Sequence, residues 1–169
     1  MARYRNFDGA LRAGSESSGA APALDDVRMR RAGLKSALSG LELALAAPYA
    51  HRAEWVTHVR GSLQIVHDVW TRHIVETEAP GAFLDELVQD SPRLSSPVER
   101  LRREHNDVLA MIVRGEQHLG DPPADPEYVA WADDLRVELT ALLAALARHR
   151  QRGADLIYEA YDVDIGGGS

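Results

Sequence analysis

The chain contains no cysteine. Disulfides, thiolate zinc sites, iron–sulfur clusters and cysteine nucleophiles are excluded together, and any metal must be held by nitrogen and oxygen. Lysine is nearly missing too: Lys35 stands alone among 19 basic residues. Such an arginine bias is what a GC-rich genome leaves, so a bacterial source is expected. No apolar run reaches the roughly 18 residues that a transmembrane helix needs, so no membrane partner is expected. The opening MARYRNFDGALRAG is charged and has no apolar stretch, which predicts no secretory signal and a cytoplasmic location. The formal charge of −7 argues against a nucleic-acid partner, which would call for a basic surface. No serine sits in a nucleophile-elbow pattern, and no glycine-rich loop precedes a helix to cradle phosphate.

What is present is ordinary in bulk. At 169 residues, 45% hydrophobic and 27% charged, the chain is long enough for one domain with a sizeable core. Residues 1–24, with GSESSGAAPA, read as a disordered arm, residues 25–161 as the folded domain and residues 162–169 as a flexible tail. Leu34, Leu38, Leu41 and Leu45 recur at helical steps, so a first helix is predicted over 26–47, with Asp25 or Asp26 as its cap and Pro48 as its stop. A second, over 50–78, carries Trp55, Val59, Leu63, Val66, Trp70 and His73 on one face. Pro80-Gly81 ends it, and a short turn of helix follows over 83–88. Ser96-Pro97-Val98-Glu99 reads as a capping box opening a third helix over 97–119. Asp125-Pro126 opens a fourth, which runs to 152 or 161. No strand pattern or internal repeat appears, so the expected fold is an all-α antiparallel four-helix bundle.

The seven histidines then separate. His73 follows Val66, Val69 and Trp70. His105 stands four after Leu101 and seven before Ile112. His149 stands three after Leu146. Three helices each turn one histidine toward the core. A single such residue reads as a core imidazole hydrogen-bonded to a neighbour; three together point to a shared metal, because a buried imidazole needs partners. His51 and His118 fall at helix ends and read as solvated, His58 lies at the edge of its stripe, and His67 reads as surface. Of the carboxylates, Glu76 and Glu78 follow His73 by three and five residues. Glu104 precedes His105 and points to another face, Glu42 flanks the first stripe, and Asp155 reaches His149 only if Gly153 allows a kink.

Three segments carry a family likeness: HIVETEAPGAFLDEL from His73, REHNDVLAMI around His105 and ARHRQRGADLIYEAYDVDIGG around His149. They resemble hemerythrin-like (HHE cation-binding) domains over about residues 34–166. The resemblance implies a four-helix bundle around a non-heme di-iron centre that handles dioxygen, nitric oxide or peroxide, or senses them. In that family each helix supplies a histidine, and acids follow at steps four and five. Here the first helix offers Ala37, Leu38 or Leu41 instead. After His73 the acid at step four is replaced by Thr77 and only Glu78 remains; after His149 the pair is Gly153-Ala154. The ligand set implied is His73, Glu78, His105 and His149, incomplete for the family, with Glu76, Glu42 or Asp155 as further candidates and with either one iron or two.

Three imidazoles and a carboxylate suit iron(II) or zinc rather than calcium or magnesium. Trp55 and Trp70 would keep such a pocket dry, and a carboxylate or carbonyl would hold the second nitrogen of each ring. Tyr158 and Tyr161 read as packing residues, with bundle capping or a phenolate ligand as alternatives. The functional readings are an iron protein binding dioxygen or nitric oxide, a metal-free helical bundle acting in protein interaction or regulation, and a heme binder using one inward histidine.

Overall fold

Leu34, Leu38, Leu41 and Leu45 are buried on one side of the first helix, as their spacing predicts. That helix, α1, spans Ala20–Ala46. The computed structural model describes residues 20–162, with side chains from residue 32 to residue 160. Helix α2 spans Arg52–Glu78, α3 Phe83–Asp90, α4 Ser95–His118 and α5 Tyr128–Asp162. A 3-10 turn, Pro92–Leu94, joins α3 to α4. The elements among the described residues are all helices, without strand. The expected arm over 1–24 lies outside them except where α1 begins, and the expected tail over 162–169 lies outside them except Asp162.

Several boundaries differ from the sequence reading. Helix α1 starts before Asp25 and Asp26, which therefore lie within it rather than at its N-cap position. Helix α4 starts at Ser95, because the 3-10 turn runs straight into it, and the Ser96–Glu99 capping box is not made; the N-cap position is Leu94, with no side-chain bond. Asp125 does not cap α5. It pairs with Arg52 across the interface, and the helix opens at Tyr128. Gly153 introduces no break, since α5 is continuous through it.

The apolar residues form two clusters. The larger joins Leu34, Leu38, Leu41 and Leu45 of α1 with Trp55, Val59, Leu63, Val66 and Trp70 of α2, Val108 and Ile112 of α4, and Leu135, Leu139, Leu142 and Leu146 of α5. Each such side chain stabilises the fold by about 1.5–3 kcal/mol when fully buried. The smaller cluster joins Leu84 and Leu87 of α3, Leu94, Val98 and Leu101, and Leu156 of α5. Asp85 anchors α3 in both directions: its carboxylate accepts from the Gly81 backbone N–H at 3.1 Å and from Arg102 of α4 at 2.6 Å. Gly81 itself has φ 73°, a left-handed conformation that glycine adopts without penalty.

Helices α2, α4 and α5 approach closely where Gly115 sits. A Cβ there would meet a methyl of Leu139 at 2.6 Å and one of Leu63 at 3.3 Å. The missing side chain is what lets the helices close. At the same end, Arg136 of α5 holds the finish of α1: its guanidinium donates to the carbonyls of Leu45 at 3.0 Å and Ala47 at 2.7 Å, groups that a helix end leaves without partners.

A candidate metal centre of three histidines

On α4, His105 stands between Leu101 of the small cluster and Val108 of the large one. On α5, His149 stands between Leu146 of the large cluster and Leu156 of the small one. The histidines thus form a polar layer at the junction of two apolar ones. His105 is 2% exposed and His149 4%; His73 of α2 is half-buried.

The three rings converge. One nitrogen from each lies within 4.8 Å of the other two, and the Nε2 atoms of His73 and His149 are 3.3 Å apart. Trp70 forms the wall. Its indole stacks on His73 at 5.1 Å between ring centroids, and meets His149 edge-on at 4.9 Å and His105 at 5.4 Å. The Trp70 N–H donates to the His105 backbone carbonyl at 3.2 Å, so the ring cannot turn freely. Trp55, expected in the same wall, belongs elsewhere. Fifteen residues along α2 amount to about 22 Å, and Trp55 packs with Tyr49 and Trp131.

The outward nitrogens are occupied. His105 donates from Nδ1 to Glu78 Oε1. His149 donates from Nδ1 to Glu104 Oε2 at 3.2 Å, and the other oxygen of Glu104 pairs with Arg152 at 2.6 Å. A carboxylate acceptor requires the hydrogen on Nδ1, which leaves the Nε2 lone pair of each ring facing inward. Burial holds the His105 imidazolium form below its usual range against the pull of Glu78. His149 is pushed down to about 3, by burial first and then by the charges of His105, His73 and Arg152. Both rings are therefore neutral at pH 7, the form that binds metal.

Glu78 thus stands behind His105 rather than among the converging nitrogens. Glu104, read from the sequence as pointing to another face, is off the core face of α4, and from there it reaches across to α5. Its position next to His105 says nothing about this, because the partner lies on another helix. Asp155 is exposed and accepts from Gln151, Glu42 is exposed, and Glu76 is half-buried. Tyr158 is 69% exposed and does not pack, and the Tyr161 side chain lies outside the described residues. His51 and His58 are exposed. His118 is not simply solvated: it bonds Glu138 at 2.9 Å beneath Trp131. His67 pairs with Glu116 at 2.7 Å.

The donor chemistry suits a transition metal, and one pair of nitrogens has the spacing such an ion needs, although the three together span up to 4.8 Å and would close further around it. Two nitrogens bound to one tetrahedral ion at about 2.0–2.1 Å would lie about 3.3 Å apart, which matches His73 and His149. No family model matches the chain, and neither a curated protein nor a solved structure does. No helix among the described residues is long and apolar enough to cross a membrane.

Proposed function

We propose that the chain is a divergent hemerythrin-like protein, an antiparallel four-helix bundle that binds non-heme iron and handles a small diatomic such as dioxygen or nitric oxide in the cytoplasm. One observation carries this reading: three imidazoles from three helices bring one nitrogen each within 4.8 Å of the others, while carboxylates hold the outer nitrogens of His105 and His149. Bound iron supplies an open coordination position and reversible one-electron chemistry. The residues around it do the rest. His73, His105 and His149 bind; Glu78 and Glu104 keep the Nδ1 hydrogens in place; Trp70 excludes water from one side.

A second reading, a metal-free bundle that acts through protein contacts, draws support from α1. Among its described side chains the core face carries Leu34, Ala37, Leu38 and Leu41 and no ligand. Protein purified from iron-supplemented cells separates the two. Retained iron with a charge-transfer band that changes on anaerobic addition of nitric oxide, and loss of that iron in His73→Ala, supports the first. Wild-type protein that takes up no iron, cobalt or zinc on reconstitution, and whose melting temperature none of them moves, sinks it.

A further inference from the structure

We infer that this centre takes one cation, not two, and that Glu78 and Glu104 are its charge counterweights rather than its ligands. The inference rests on the metal reading above and narrows it. A second ion beside the first needs carboxylates that reach both. Each of the two acids that bond the buried histidines does so at the outer nitrogen. Glu78 accepts from His105 Nδ1. Glu104 is shared between His149 Nδ1 and Arg152, and is held from both sides. The first helix, where a further ligand would be sought, presents only apolar side chains to the core over its described length, and its Glu42 is exposed. Asp155 is exposed on α5.

The charges agree with this assignment. Imidazoles bind a metal in their neutral form, so three of them would leave a divalent cation with its full charge in an apolar surrounding, which is costly unless opposite charge lies near. Two carboxylates one ring away supply it, and Arg152 returns part of it on the solvent side. A second divalent cation would double the charge while Glu78 and Glu104 stay committed to the outer nitrogens of His105 and His149. Histidine–carboxylate pairs of this kind raise the basicity of the metal-facing nitrogen, and losing one weakens binding by about 10- to 100-fold.

Cobalt(II) titration of the metal-free protein, read by its visible absorption and by bound metal per chain, tests this. One cobalt per chain is expected. Glu78→Gln and Glu104→Gln, which keep the shape of the side chain, are each expected to weaken binding about 10- to 100-fold while leaving the band position and the count of one unchanged. Two cobalts per chain overturns the inference and leaves the metal reading standing. A band that moves in either glutamine variant overturns the counterweight role, because only a ligand changes the ligand field to that extent. No cobalt at all overturns the metal reading itself.

Discussion

The two ends of the same helices use polar and aromatic side chains in opposite ways. At one end, Arg136 lies over the rings of Tyr49 at 4.3 Å and Trp55 at 5.3 Å, and its N–H groups are spent on the end of α1. Tyr128 and Trp131 pack beside them, and Arg52 covers Tyr128 at 4.6 Å. At that end the cation over the rings is supplied by the chain, and its hydrogen bonds run to the end of α1. At the other end the acids stand outside the ring layer and bond the far nitrogens, so the near nitrogens of His105 and His149 face one another across the interior with no carboxylate between them. Similar residue types make a clamp in one place and a receptor in the other. What decides is the side of the ring on which the counter-charge sits.

The largest effect is expected from breaking the clamp. Trp55→Ala should lower stability by about 3–5 kcal/mol in urea unfolding, while cobalt affinity of the folded fraction stays within a few-fold. A parallel collapse of affinity would show that the ends are not independent. Next comes the receptor. His149→Ala should lower cobalt affinity at least about 100-fold, or about 2.7 kcal/mol, while in His149→Leu, which keeps much of the buried volume, the metal-free protein should lose little stability. An equal loss of stability would make His149 a structural residue.

A third test uses pH. Folded His149 titrates at about 3, and an unfolded histidine near 6.5. Between those values the unfolded chain binds a proton that the folded chain does not. Stability is therefore complete above about pH 6.5 and is lost as pH falls toward 3. At pH 5 the metal-free protein should be about 2 kcal/mol less stable than at pH 8, and His149→Leu should flatten that slope; an unchanged slope would refute the shift. The smallest effect belongs to Gly115→Ala. Crowding against Leu139 and Leu63 costs about 1–3 kcal/mol, and the better helix propensity of alanine offsets about 1. A net loss near 1 kcal/mol is expected in urea unfolding. A gain would mean that Leu139 moves aside freely.

The helices and the three inward histidines were legible in the sequence because both follow from spacing. Steps of three from Trp70, four from Leu101 and three from Leu146 put His73, His105 and His149 on core faces, and neighbours on the same helix are enough to show it. The partners of those histidines were not legible. Glu104 reaches a different helix from the one it sits on, and Glu78 turns toward α4 rather than along α2. Such pairings depend on how helices are rotated and raised against one another, which a periodic pattern does not encode. Trp55 shows the same limit: its face was right and its height along the helix placed it at the other end. The capping box failed for a local reason, since a preceding 3-10 turn had already supplied the start of α4.

The order of the three histidines along the chain has one more consequence. They lie roughly 30 and 45 residues apart, so a single ion bound to all of them would close two long loops at once and restrict the unfolded ensemble as a covalent cross-link does. In a chain without cysteine, that would be a staple the cell can remove: chelation would loosen the α2, α4 and α5 layers together, and resupply would draw them back into register.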